Sequence, residues 1–509
     1  MARSTPGIST ERPEQRRDFR QAVPFALILA AGISLSWWLG SCGFPCPRGD
    51  DAFYKSPAAE LAQNGRLATP CSIGFLPQAE TVFAAYPPGY QCLLGVWYLV
   101  FGVSVYSSLG FSYTVHLLGT LAVMEVVRRM LRCGVEVPAF STNVIVLAIG
   151  AVQLGNLAYF DRQEETALLW LWLEVLYIQG NCTRRGISFS LASGLMVGLA
   201  ALTSPWVGVL GAMVVAFRAL LTAAADQPQR LSVWTSTGVR LAITLATAAG
   251  VVGLWFVVME LLYPGAVADQ LFGTLSLLKQ TQGSGTFAER FAVFGHTIRY
   301  NLPQLAAVVL TLVFFPTLIA GGGRRYASPT AWALFLAGAL SIAAVALLRP
   351  IAYTYLGAAQ IILLPCLGPA AAFATHGRSR WARLGFVLLA LCALIAQRDV
   401  VRCVRSTFNL PHRERAEMVF DRLRSVVPPG DLVAVRSLHW HVFQGRNPWR
   451  EAYFSAIVDS GEVRRCRWLV LPPHAKPDYL DGFELAEEVP TTARRYYTYA
   501  YSLWRRRGK

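Results

Sequence analysis

Charge is what this 509-residue sequence has least of. Asp, Glu, Lys and Arg together make up 15% of it, where a soluble domain of average composition carries about 25%. With 54% hydrophobic residues and a mean hydropathy of +0.41, a water-soluble globule is excluded. Acidic residues are the scarcer sign, 30 against 46 Lys and Arg, which leaves a net charge of +16. No basic stretch interleaves with aromatics as a stacking platform for nucleic acid would, so that partner is excluded as well. Metal-ligand spacing is also missing. Cys42 and Cys46 form a C-x-x-x-C, but no His and no second Cys pair completes a zinc site. No repeat of about 20 to 50 residues is visible. No small-residue cleavage site follows the first apolar run, which argues against a removable secretory signal.

What is present is a series of apolar runs of roughly 18 to 22 residues, long enough to cross a bilayer as helix. The first, "AVPFALILAAGISLSWWLGSC", follows an Arg-rich segment, residues 1–21, with Arg3, Arg12, Arg16, Arg17 and Arg20. Positive charge holds a flank on the cytoplasmic side, so the first run is an uncleaved span with a cytoplasmic N-terminus. Residues 42–110 then form a long outer loop. Inside it, "AAYPPGYQCLLGVWYLVFG" is apolar over only about 15 residues. Counting it as a span would put "VVRRMLRCG" outside, against the positive-inside rule. It is expected to be an interfacial or re-entrant helix capped by Pro87 and Pro88.

The same test places further spans at about 111–130, 139–158, 165–179, 187–202, 205–222, 241–262, 301–320, 329–348, 357–375 and 383–397. Every basic cluster between them then falls on one side. The sequon at Asn181 falls on that inner side and is read as chance. A second long outer loop covers 263–299. It holds Asp269, Lys279, Glu289, Arg290 and His296, with Gly283, Ser284 and Gly285 suited either to a lid or to an ordinary exposed loop. The expected fold is mainly α: a polytopic bundle of about eleven transmembrane helices at 22–397.

Residues 398–509 change character and are expected to form a small extracytoplasmic α/β domain. "LVAV" at 432–435 and "RWLVLPP" at 467–473 read as buried strands. "PWREAYFSAIVDSG" suits a helix and "ARRYYTYAYSLWRRR" an edge strand. His439 and His441 flank Trp440, which would place both on one face if extended. No nucleophile triad, phosphate loop or metal set is present there, so acceptor binding or covering of a site is the modest reading. Cys42, Cys46, Cys71, Cys403 and Cys466 fall in outer regions, where disulfides are allowed. Cys133, Cys366 and Cys392 fall in the membrane and read as small apolar fillers.

The candidate chemistry begins with Asp50 and Asp51, side by side just past the first span. A carboxylate at a membrane boundary can serve as a general base, its affinity for protons raised by partial desolvation and an acidic neighbour. An Asp at a helix N-cap is the plainer alternative. The order "DDAFYKSPAAELAQNGRL", a Pro-rich stretch and "YPPGYQCLLGVWYLVFG" resembles the GT-C superfamily of membrane glycosyltransferases. The likeness is to its family 39-like group of protein O-mannosyltransferases and lipid A aminoarabinose transferases. The matching positions are Asp50, Asp51, Tyr54, Gly65, Pro87, Pro88, Phe101 and Gly102. "YFDRQEETALLWLWL" adds Asp161, Arg162 and Glu164. "GLMVGLAALTSPWVGVL" adds Thr203 and Pro205, and "LRPIAYTYLGAAQIILLP" adds Arg349, Tyr353, Tyr355 and Pro365. One departure stands out: where the aminoarabinose transferases carry Glu-Lys before Pro-Pro, this chain has Ala85-Tyr86.

The resemblance implies a polyprenyl-phosphate sugar as donor, an acceptor hydroxyl on a glycan, lipid or protein, and inversion at the anomeric carbon. It implies no cofactor and no metal; the partners are these substrates and membrane lipids. Asp50 is then the expected base with Asp51 in support. Arg162, Arg349 and Lys55 are expected at the donor phosphate, since Arg binds two phosphate oxygens at once. Tyr54, Tyr86, Asp161, Glu164, Tyr353, Tyr355 and His296 are expected around the substrates. Simple snorkelling of Arg162 and Arg349 to the interface is the competing reading. A secondary transporter would place ionisable groups mid-span, whereas Glu125, Glu174 and Glu260 lie toward span ends. A non-enzymatic membrane scaffold would not need the acidic pair.

Overall fold

The computed structural model describes residues 13–47, 51–73, 76–132, 137–158, 163–180, 186–226, 231–282, 308–313, 315–316, 328–348, 353–376, 380–436, 438–452, 460–473, 480–490 and 498–507. Helix α1 spans Pro13–Ser41 and α2 Asp51–Asn64. Helix α3 spans Gly89–Phe101, α4 Val105–Arg132, α5 Ala139–Leu154 and α6 Gln163–Gly180. Then come α7 at Ile187–Thr203, α8 at Pro205–Asp226, α9 at Leu231–Leu262 and α10 at Ala266–Gln282. Helices α11 (Pro329–Leu348), α12 (Tyr353–Leu363), α13 (Leu367–His376) and α14 (Arg380–Phe408) complete the bundle.

Among the described residues, five helical segments are long and apolar enough to cross a membrane: Gln21–Ser41, Val105–Arg132, Ala139–Leu157, Pro205–Ala225 and Leu231–Leu262. Helices α7, α11 and α12–α13 contribute shorter apolar segments. The break between α12 and α13 is a short 3-10 turn at Leu364–Cys366, where Pro365 removes a backbone donor. The expected span at 301–320 lies largely outside the described residues. Helix α9 shows why lipid is the solvent: Leu254 is 65% and Leu261 76% exposed. In water such a face would cost about 25 cal/mol for each Å² left bare.

The helices run alternately, and contacts identify their ends. At one end the guanidinium of Arg128 lies over the Phe25 ring, 5.7 Å from its centroid, and Arg129 donates to Leu176 O at 2.8 Å. The other end, here the loop end, gathers the ends of α1, α5, α7, α9 and α14 with the starts of α4 and α6. There Trp38 of α1 donates to Thr407 of α14 at 2.8 Å. Inside the bundle Arg218 of α8 grips Glu174 of α6 with both forks, at 2.5 and 3.0 Å, and Ser193 of α7 donates to the same carboxylate at 2.6 Å.

Helix α14 runs unbroken through residue 398 to Phe408, so the expected end of the last span falls inside a helix. Its lower half is apolar and its upper half polar, and one helix serves both membrane and domain. Beyond it lie α15 (Ala416–Val426), β1 (Val433–Val435), α16 (Trp440–Phe443), β2 (Trp449–Glu451), α17 (Ser460–Arg465), β3 (Trp468–Leu471), β4 (Phe483–Val489) and β5 (Tyr501–Arg506). The sheet order is β2-β1-β3-β5-β4, with β1 parallel to β2 and β3, and β5 antiparallel to β3 and β4.

Three expectations for this region are corrected. Residues 449–451 are a strand, not helix, because Trp449 and Glu451 pack beneath the sheet and pair with Val433 and Val435. Strand β5 is interior, not an edge. The edge is β4, whose Glu484, Glu487 and Glu488 discourage pairing with another chain. His439 and His441 do not share a strand face: Trp440 begins a short helix with His439 as its N-cap.

The sheet does not stand apart from the bundle. Val433, Val435, Trp449, Trp468 and Val470 on one face join a single core with Phe53, Tyr54, Phe83, Tyr90, Leu94 and Leu109. Ala434, Leu469, Leu471 and Phe483 on the other face pack with Val463 of α17. The alternation of β-strand side chains thus joins the first loop and the C-terminal region into one body.

Candidate active site

The site is built on α2. Asp51 opens that helix and Lys55 stands one turn on, so the spacing brings ammonium and carboxylate onto one face. Their charged atoms meet at 2.6 Å, with the side chains 1% and 3% exposed. A buried pair of this kind holds only while both partners remain, since removing one leaves an uncompensated charge. The other carboxylate oxygen of Asp51 accepts the indole N–H of Trp440 at 3.0 Å. Trp440 comes from the C-terminal region and stacks on the neighbouring His441 ring at 3.8 Å between centroids. Burial and the nearby Lys55 charge push the His441 imidazole well below its ordinary affinity for protons. His441 Nε2 in turn lies 3.0 Å from Ser108 Oγ of α4, and Ser108 also meets the Tyr98 hydroxyl.

Toward the far end of α2, Gln444 repeats the docking. Its amide donates to Glu60 Oε1 at 2.8 Å and to Gln63 Oε1 at 3.0 Å. It accepts from Trp449 Nε1 at 3.0 Å. Gly445 has φ +74, and a Cβ there would come within 2.9 Å of Gln63; only glycine accepts both the left-handed backbone and the approach. Arg66 sits at the rim, 3.6 Å from Glu60 and 57% exposed.

The structure brings Asp51, Tyr54, Lys55 and Tyr86 together. Phe53, Tyr54, Phe83 and Tyr86 form an aromatic group, with Tyr54 and Tyr86 at 5.5 Å and Phe53 and Phe83 at 5.3 Å. Tyr86 is half-buried and Tyr54 buried. The Pro-Pro segment that follows is held by α3. A Cβ on Gly89 would meet Leu202 O and Thr203 Oγ1, each at 2.8 Å, so the loop carrying Tyr86 abuts the end of α7 where Thr203 and Pro205 lie. Helix α10 closes the other side, within the stretch expected as an outer loop. Gln270 accepts from Ala84 N at 2.7 Å and donates to Pro77 O and Val82 O at 2.8 and 2.9 Å.

Glu164 lies elsewhere, in the first turn of α6 and 2% exposed. Beside it in sequence, Glu165 accepts from His116 Nδ1 of α4 at 2.6 Å. Asp50, Asp161, Arg162, Arg349 and His296 lie outside the described residues. Tyr353 and Tyr355 are placed in α12 by their backbone alone. Of the expected lid, residues 283–285 also lie outside; the stretch before them is the helix α10.

Trp440, Gln444, His116 and Glu165 escaped sequence reading. The His-Trp-His triplet was visible, but its role depends on contacts across 389 residues of chain. No three His, Cys, Asp or Glu side chains gather to hold a metal among the described residues. The described cysteines, including Cys42, Cys46, Cys71, Cys403 and Cys466, are free thiols. Burial raises the Cys71 thiol and pushes Cys466 up to about 12, so neither is a ready nucleophile.

The structure is similar to ArnT from Cupriavidus metallidurans bound to undecaprenyl phosphate, with a TM-score of 0.59 at 14% identity, over 94% of this chain and 97% of that one. Lower similarity is found to an oligosaccharyltransferase from Archaeoglobus fulgidus in its apo form (TM-score 0.49, 12% identity, 89% of this chain and 70% of that one). The arabinosyltransferase EmbB from Mycobacterium smegmatis gives 0.46 at 14% identity, over 84% of this chain and 44% of that one. No protein-family model and no curated protein matches the sequence.

Proposed function

We propose that the chain is an integral-membrane glycosyltransferase that moves a sugar from a polyprenyl-phosphate donor to an acceptor hydroxyl at the extracytoplasmic face, with inversion. Asp51 is set at the loop end in a wall made jointly by α2 and the C-terminal region, held by Lys55 and Trp440, and this observation carries the reading. The fold likeness to ArnT, whose structure holds undecaprenyl phosphate, supports a lipid phosphate as carrier.

In this scheme Asp50 takes the proton of the attacking hydroxyl as the new glycosidic bond forms, a contribution of about 10²–10⁴-fold. The hydroxyl oxygen bonds to the anomeric carbon from the face opposite the phosphate. The carbon–phosphate-oxygen bond breaks, and its electron pair leaves on the lipid phosphate. Asp51 supports and orients its neighbour. Lys55 enters through Asp51, on which its ammonium is held at 2.6 Å. Arg162 and Arg349 are assigned to the leaving phosphate, whose growing charge a guanidinium stabilises. Tyr54 and Tyr86 supply an aromatic wall for the sugar; Asp161, Glu164, Tyr353, Tyr355 and His296 are assigned to the substrates.

Asp50→Asn, reconstituted in proteoliposomes with a panel of undecaprenyl-phosphate sugars, is expected to lose transfer at least 100-fold while the purified protein unfolds at the wild-type temperature. Transfer at the wild-type rate would remove Asp50 from the mechanism.

A further inference from the structure

The mechanism leaves one buried cluster unused. His116 of α4 is 2% exposed and gives its Nδ1 to Glu165 at 2.6 Å. An ionised carboxylate can only accept, so Nδ1 carries a proton, and in the neutral tautomer this leaves Nε2 with a lone pair. That Nε2 has no hydrogen-bond partner among the described residues. Gln163, two residues before Glu165 and also 2% exposed, has an amide oxygen in the same condition. A buried polar atom left unsatisfied is costly, and here there are two, one on α4 and one on α6.

The two open atoms share a chemical sense: each is an acceptor. Glu164, between Gln163 and Glu165, adds a carboxylate to the same turn of α6. An open acceptor calls for a donor, and a hydroxyl group supplies one. The cluster joins α4 to the first turn of α6 at the loop end, the end that carries Asp51. We infer that His116, fixed by Glu165, is a binding residue for a substrate hydroxyl, with Gln163 as a second acceptor beside it. The inference rests on the glycosyltransferase reading and adds the element that recognises a hydroxyl, either on the transferred sugar or on the acceptor.

The ring geometry supplies its own control. An Asn side chain places an amide N–H where Nδ1 stands and nothing where Nε2 stands; Gln does the reverse. His116→Asn therefore keeps the bond to Glu165 and removes the open acceptor. The probes are undecaprenyl phosphate and its mannosyl, glucosyl and aminoarabinosyl esters, measured by binding to the full-length protein in detergent and by transfer in proteoliposomes. His116→Asn is expected to unfold near the wild-type temperature and to bind bare undecaprenyl phosphate within about twofold of wild type. It is expected to lose about tenfold, the worth of one hydrogen bond to a buried partner. If the hydroxyl is on the sugar, the loss appears in affinity for the preferred ester; if on the acceptor, it appears in the acceptor KM. Unchanged ester affinity together with an unchanged acceptor KM would overturn the assignment while leaving the transferase reading intact. A wild-type protein that binds none of the esters would overturn both.

Discussion

Glu174 and Glu165 are carboxylates of one helix, α6, both buried and both held by a basic group from another helix. They differ in what is left over. Glu174 takes two bonds from Arg218 and one from Ser193, and the fork is matched to the carboxylate with nothing directed elsewhere. Glu165 is matched to one nitrogen of a ring whose other nitrogen lacks a partner among the described residues. The first pair is a rivet through α6, α7 and α8, set low in the bundle. The second is half of an interaction, set at the end where the loops converge. Saturation, rather than burial, separates a structural ion pair from a binding one.

The largest effect is expected where saturation is complete. Glu174→Ala strands the Arg218 guanidinium and should cost about 3–5 kcal/mol, read as a lower unfolding temperature in detergent. A double change of Glu174→Leu with Arg218→Met should recover most of it. If the single change is tolerated, the rivet description fails.

Next comes the buried histidine of the C-terminal region. His439 donates from Nε2 to Tyr499 O at 2.8 Å, and burial lowers its pKa to about 4. The folded state keeps it neutral, while the unfolded chain binds a proton near 6.5. Stability is therefore full above 6.5 and falls as pH drops toward 4, by about 3 kcal/mol in all. Thermal unfolding at several pH values should show this slope, and His439→Gln, which can still donate, should flatten it.

The smallest of the three concerns Asp51, intermediate between the two α6 pairs. Trp440→Phe keeps the ring and deletes the N–H that Asp51 accepts, a hydrogen bond to a charged group worth about 1.5–3 kcal/mol. Transfer should fall with it, because the carboxylate is no longer oriented from both sides. An unfolding temperature and a turnover rate equal to wild type would show that the C-terminal region only covers the site.

The long apolar helices were legible because lipid imposes a length and a polarity that no tertiary contact overrides. Helix α3 was legible for the same reason, its Pro-Pro start and Gly102 end marking a helix too short to cross. Strands β1 and β3 were readable as short apolar runs, being buried on both faces. Strand β2 was not. "PWREAYFSAIVDSG" has helix formers, but pairing with β1 decides, and pairing is nonlocal. Helix α10 was hidden because a polar, Gly-containing region follows it. Asp51, Lys55 and Tyr54 could be found from spacing along α2. Their partners Trp440 and Gln444 could not, since no periodicity links residues so far apart.

That distance has a bearing on how the molecule is made. Helix α2 lies near the beginning of the chain, yet the indole that meets Asp51 is 389 positions later. A ribosome synthesising this protein delivers the first loop long before the segment that completes it. Through most of translation the aspartate and lysine of α2 must stay hydrated or lean on temporary neighbours. Competence therefore arises at one moment, late, when the final sheet closes over a loop that left the ribosome first.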